Sequence, residues 1–208
     1  MTEAKGAYSL KTAYKIATPE EAASFYDGWA ATYDAELTKN GYATPRRCAE
    51  ALAQFVGDKA APIMDLGCGT GLSGLALRAV GFSAIDGFDI SPEMLAKAAG
   101  LGAYRSVAVA NLAEPLAVAE GVYANAASIG CLSPEYLPVT VLDEILSKLP
   151  AGGCLVFSLN DHAAADGTME GRVMELTDSG YAECLHRDYG EHIPGTGLQS
   201  TVYVLRRR

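Results

Sequence analysis

Asp65-Leu66-Gly67-Cys68-Gly69-Thr70-Gly71 is the stretch of this 208-residue chain whose residue types and spacing most directly imply chemistry. Ile63 and Met64 lead to an acid, three glycines then alternate with small residues, and Leu72, Leu75 and Ala76 begin helical spacing. The order predicts a buried strand, a tight turn and a helix whose first N–H groups face a ligand. Glycine suits the turn because it accepts positive φ and, lacking Cβ, lets a ligand approach the backbone. Unpaired N–H groups at the helix start attract an anionic or strongly polar group.

Two ligands compete for this loop. Gly69-Thr70-Gly71-Leu72-Ser73-Gly74 is a literal G-x-G-x-x-G, and Asp89 follows Gly71 by 18 positions, close to the spacing of a ribose-binding acid in dinucleotide sites. On that reading the chain is an NAD-linked oxidoreductase. The longer stretch starting at Asp65 favours a zwitterion instead: a carboxylate at the strand end suits an ammonium and repels a pyrophosphate.

The elements that must position these residues alternate in type. Strands are predicted at 60–65, 83–89, 104–110, 122–128 and 154–159, separated by helices after Gly71, after Ser91-Pro92-Glu93 and at 139–149. Such alternation implies a parallel sheet covered on both faces. A helix ending at Gly180 follows. Strands at 181–189 and 199–205 then flank Pro194-Gly195-Thr196-Gly197 as an antiparallel pair. Upstream, Thr18-Pro19-Glu20-Glu21 and Thr44-Pro45-Arg46-Arg47 start two helices. The expected organisation is an N-terminal helical lid segment, 1–57, on an α/β core, 58–208.

Asp65 to Gly71 resembles motif I of class I S-adenosylmethionine-dependent methyltransferases. Phe88-Asp89-Ile90-Ser91-Pro92-Glu93-Met94-Leu95 resembles the segment that follows it in that family, and Tyr26-Asp27-Gly28-Trp29-Ala30-Ala31-Thr32-Tyr33-Asp34 resembles the aromatic lid of many small-molecule members. With Gly130-Cys131-Leu132 after strand four, the chain is most similar to the Williams–Beuren syndrome region methyltransferases and their bacterial relatives. The resemblance implies a doubly wound, mostly parallel seven-stranded Rossmann-like α/β sheet with a C-terminal antiparallel pair. It implies S-adenosylmethionine as cofactor and S-adenosylhomocysteine as product. Asp65, Gly67, Cys68, Gly69 and Gly71 would hold the methionine part. Asp89 would chelate the ribose hydroxyls, Ile90 and Met94 would pack on adenine, and Asn111 and Leu112 would meet its amino edge. Ser128 and Ile129 would line the site, and Tyr26, Trp29 and Tyr33 would close over the sulfonium.

The acceptor side is thinner. Asp161 and His162, after strand five, are the candidate catalytic acid–base groups, with Asn160, Tyr136 and His192 as candidate substrate contacts. Pro134 stands where the family often carries a histidine, Asn111 where it commonly carries Asp, and Tyr123-Ala124 replaces an aromatic–Asp pair. A carrier that binds the cofactor without turnover is the alternative. No motif in 1–45, 130–140 or 160–200 names an acceptor, and none speaks to oligomeric state.

Composition bounds the partners. Half the residues are apolar and the net charge is −9, which suits a packed domain and disfavours a nucleic-acid partner. No apolar run reaches the roughly 18 residues of a membrane span, and the N-terminus lacks the apolar stretch of a signal peptide. Five scattered cysteines without a C-x-x-C pair predict reduced thiols in a cytoplasmic setting. Cys184 and His186 find no further ligands nearby in sequence, and no metal is expected.

Overall fold

Short strands with apolar side chains on both faces build the centre of the molecule, a computed structural model that describes residues 8–13 and 16–208. In chain order the elements are α1 (Leu10–Ala13), α2 (Pro19–Trp29), α3 (Tyr33–Lys39), α4 (Thr44–Ala53), β1 (Ile63–Leu66), α5 (Leu72–Ala79), β2 (Ile85–Asp89) and α6 (Pro92–Gly100). They continue as β3 (Ser106–Val109), β4 (Asn125–Ser128), α7 (Val141–Lys148), β5 (Cys154–Asn160), α8 (Thr168–Asp178), β6 (Ala182–Ile193) and β7 (Leu198–Arg207). One seven-stranded sheet runs in the order β3-β2-β1-β4-β5-β7-β6. The first five strands are parallel, β7 is antiparallel to β5, and β6 is antiparallel to β7. This is the expected fold.

Side chains alternate across the sheet as the pleat requires. Ile63 of β1 and Cys154 and Val156 of β5 join α4 and α5 on one face. Met64, Leu66, Leu155, Phe157 and Leu159 join α7 and α8 on the other. Because helices cover both faces, the central strands carry few polar residues. The strand order reverses between β2-β1 and β4-β5, so the crevice at their C-terminal ends is the natural ligand position.

Three element boundaries have a clear local cause. β1 starts at Ile63 because Pro62 has no N–H to give and offers only its carbonyl, which accepts from Ala124 N. The 26–34 stretch is broken at residues 30–32 into α2 and α3. β6 runs on to Ile193, four residues past the predicted strand, and bulges between Cys184 and His186 and again between Glu191 and Ile193. Arg47 of α4 holds that extension: its guanidinium donates to the carbonyls of Asp188, Glu191 and Ser200. Among the described residues, no helix is long and apolar enough to cross a membrane.

Candidate functional site

A cavity of about 680 Å³, counting its open mouth, lies over the C-terminal ends of β1, β2 and β4. Its floor is the glycine turn, with Gly67 at φ +70° and Gly69 at φ +53°. A Cβ on Gly67 would sit 2.4 Å from Cys131 Sγ, so two chain segments meet there that only glycine allows. A Cβ on Gly69 would meet nothing within 4 Å, so the backbone at that point faces open space.

Asp89 ends β2 at the cavity wall. Its Oδ2 accepts from Gly69 N at 2.8 Å and its Oδ1 from Ser91 N at 2.9 Å, and burial raises its pKa. Each carboxylate oxygen keeps a lone pair for a ligand hydroxyl. Ile90 and Met94 supply an apolar wall. Asn111 and Leu112 follow β3 on the same side, although the Asn111 amide is engaged with Glu114 and Ala113 N. Tyr26 and Tyr33 roof the cavity and Tyr136 closes one end, its hydroxyl donating to Cys131 O. Burial raises the pKa values of Tyr33 and Tyr136, so both hydroxyls stay protonated.

The roof is tied to the floor. Asp27 of α2 accepts from Ser91 Oγ, and Ser91 Oγ also accepts from Met94 N as the N-cap of α6. Asp34 of α3 accepts from Thr70 Oγ1 in the glycine turn. Neither acid was singled out in the sequence, since one Asp in a helix looks like any solvated charge. Cys131, Gly130 and Tyr42 are further unforeseen neighbours. A Cβ on Gly130 would strike the Tyr42 hydroxyl, and Gly130 lines the cavity beside Cys131.

Several expected contacts lie elsewhere. Asp65 is fully buried under the turn and does not line the cavity. Its Oδ2 is taken by Ser73 Oγ at 2.6 Å and Tyr104 Oη at 2.7 Å, while Oδ1 has no partner among the described residues. Burial, only partly offset by those two bonds, raises its pKa to about 6. Trp29 is 2% exposed and packs with Leu10, Leu37 and Ile193, its Nε1 donating to Glu36. It faces inward because α2 ends there and the chain must turn over an apolar plug. Cys68 is buried below the turn. Gly71 packs toward Leu101 and Tyr104, setting helix against sheet. Ser128 is buried against Cys131 Sγ, and Ile129 lines the cavity in its place.

Asp161 and His162 are exposed and outside the cavity. Asn160 Oδ1 accepts from His162 N and Ala163 N, turning the chain outward. Asp161 is then held by Tyr189 Oη and Gln199 N. Asn160 and His192 face a separate, smaller cavity behind Tyr26 and Tyr33.

Comparison with known proteins matches this geometry. Residues 63–153 match the family described as methyltransferase domain. Those residues form a methyltransferase domain with the class I fold. Over 146 residues the chain is 34% identical to methyltransferase-like protein 27 of Homo sapiens, an alignment covering 69% of this chain. The chain spans 60% of that relative's length. The methyltransferase fold is shared with magnesium protoporphyrin IX methyltransferase from Synechocystis, solved with bound S-adenosylhomocysteine. The TM-score is 0.58 and identity 13%, covering 78% of this chain and 83% of that one. It is also shared with the [4+2]-cyclase SpnF, with a TM-score of 0.70 and 16% identity over 91% and 96% of the two chains. S-adenosylmethionine is the cofactor of the domain, and the residues present fit it: open backbone at Gly69, a cavity-lining carboxylate at Asp89, and an unpaired buried carboxylate oxygen beneath the turn.

Proposed function

We propose that this protein transfers a methyl group from S-adenosylmethionine to a small-molecule acceptor by in-line displacement. The observation that carries the reading is the single cavity in which the glycine turn, Asp89, the Ile90/Met94 wall and the Tyr26/Tyr33 roof converge. When bound, the cofactor supplies an electrophilic methyl on a sulfonium. Gly67 and Gly69 would pass its amino-acid end close to the backbone, and Asp89 would take the ribose hydroxyls. Asp65 would act from below the turn through its field, not by contact. The faces of Tyr26 and Tyr33 favour a cationic sulfonium and shield it from water. Catalysis of this kind needs positioning above all.

The lid role of 1–57 over the core 58–208 belongs to this proposal, supported by the Asp27–Ser91 and Asp34–Thr70 ties; residues 1–7 and 14–15 of that segment lie outside the described residues. So do a cytoplasmic setting, supported by five unpaired cysteines, and the Williams–Beuren subfamily, supported by Gly130-Cys131-Leu132. The net charge of −9 argues against nucleic acid as acceptor.

Calorimetric titration of S-adenosylhomocysteine into wild type and Asp89→Ala tests the reading. A hydrogen bond to a charged group contributes about 1.5–3 kcal/mol, so the variant should bind at least about tenfold more weakly. Equal affinity refutes the ribose assignment. Because one fold hosts several reactions, turnover is tested separately, by S-adenosylhomocysteine formation dependent on added acceptor. Binding without it supports the carrier reading.

A further inference from the structure

Behind Tyr26, Tyr33 and Gly130, which it shares with the cofactor cavity, lies a second cavity of about 380 Å³, counting its open mouth. Its walls are largely apolar and aromatic, from Trp29, Leu37, Tyr42 and Ile193, and among the described residues no carboxylate lines it. Among those residues the polar side chains other than tyrosine that face it are His192 and Asn160, and the hydrogen bonds behind them decide what each can offer.

The proton on His192 is located by a chain that starts at a cation. Arg47 has only donors; its Nη1 shares one of its two hydrogens between the Ser200 carbonyl and Ser200 Oγ, each at 3.1 Å, and can accept nothing from that hydroxyl. Ser200 is fully buried, and its hydroxyl has one other partner, Thr44 Oγ1 at 3.2 Å. The Ser200 proton therefore goes to Thr44; the reverse arrangement would bury an unsatisfied hydroxyl at a cost of about 1–3 kcal/mol. Thr44 Oγ1 in turn donates to His192 Nδ1 at 2.7 Å. Burial first, and then the Arg47 cation, lower the His192 pKa to about 4, so the ring is neutral at physiological pH. A neutral ring that accepts at Nδ1 carries its hydrogen on Nε2. Among the described residues Nε2 has no protein partner, and the ring edge points toward Gly130: a Cβ there would be 3.9 Å from Cε1. Asn160 behaves alike. Its Oδ1 is taken by two backbone N–H groups at 3.0 Å, which leaves the amide nitrogen as the group it can present.

Among the described residues, the non-tyrosine polar groups of this cavity are thus donors on an apolar wall. We propose that it holds the methyl acceptor as an oxyanion on an apolar frame, a carboxylate or an acidic phenol, with His192 Nε2–H donating to that oxyanion. The inference rests on the methyl-transfer reading and specifies its acceptor. The ring is a donor here and not a general base, and none is needed, because the acceptor arrives deprotonated. A lone pair of the oxyanion forms the new C–O bond. The methyl carbon–sulfur bond breaks with its electron pair passing to sulfur, which leaves as a neutral thioether, and no proton moves. A hydrogen bond to one lone pair leaves the others free to react.

Long-range proton–nitrogen NMR of the wild-type imidazole reads the tautomer directly. Hydrogen on Nε2 with a bare Nδ1 is expected; hydrogen on Nδ1 overturns the inference. Binding is then measured with saturating S-adenosylhomocysteine, using 4-nitrophenol and 2-naphthoate as oxyanions and 2-naphthylmethylamine as a cation of matched size. Both oxyanions should bind wild type about tenfold more tightly than His192→Phe. His192→Gln keeps an N–H and should retain most of the affinity. Preference for the ammonium, oxyanion affinity unchanged in His192→Phe, or no saturable oxyanion binding would each overturn it. S-adenosylhomocysteine is titrated alone first: its failure to bind sinks the proposed function, whereas the tautomer measurement still judges this inference.

Discussion

Asp65→Asn probes a carboxylate that the fold ionises at a cost. Asp65 is fully buried, its Oδ1 has no hydrogen-bond partner, and burial carries its pKa from an ordinary 3.8 to about 6. A rise of roughly two pKa units corresponds to about 3 kcal/mol. The folded value lies above the unfolded one, so the contribution is fully present below pH 3.8 and is lost as pH rises through about 6. Asparagine cannot ionise. The stability of wild type minus that of the variant should therefore fall by about 2.4 kcal/mol between pH 4 and pH 7. His192 works in the opposite direction over the same window: its lowered pKa, about 4, withdraws stability as pH drops below the ordinary 6.5. It is common to both proteins and cancels in the subtraction. Urea unfolding across that range, followed by circular dichroism, gives both curves; curves that run parallel refute the reasoning. The same carboxylate should welcome a cation. Saturating S-adenosylhomocysteine, which brings an ammonium, should flatten the wild-type slope, whereas 5′-methylthioadenosine, which lacks the amino-acid part, should not.

Two more perturbations test the supports of the site. Gly67→Ala forces a Cβ against Cys131 at positive φ, which should cost about 2–4 kcal/mol and lower Tm by roughly 5–15 °C in a melting scan. An unchanged Tm would mean the two loops do not meet. Arg47→Met removes the group that holds the end of β6, so amide hydrogen exchange over 188–200 should accelerate while the central strands keep their protection. In that variant His192 should titrate higher by NMR, yet still below 6.5, since burial is the larger cause of its depression.

The alternation of strands and helices was readable because each central strand is a short apolar run bounded by glycine or proline, and each helix carries one buried stripe. The cofactor loop was readable because its glycines and flanking acids lie within a few residues of one another. Roles that depend on which way a side chain turns were not. Tyr26, Trp29 and Tyr33 share one helical spacing, but the break after Trp29 sends its ring into the plug beneath and leaves the two tyrosines on the cavity. Asp161 and His162 follow a strand end where ligands commonly bind, and a single Asn160 side-chain turn directs them to solvent. The extension of β6 past Tyr189 was hidden because its backbone is held by Arg47, some 140 residues earlier in the chain.

The local pattern around Asp65, Gly67, Gly69 and Asp89 was enough to determine the fold and the cofactor, because strand, turn, helix and the next acid are consecutive in the chain. Tertiary structure alone decided that Asp65 lies beneath the turn and does not line the cavity. It alone joined Arg47, Ser200, Thr44 and His192 into one hydrogen-bonded line. Those four come from α4, β6 and β7, and only packing brings them within reach of one another, so the direction of the proton on His192 exists in the fold and nowhere in the order of residues.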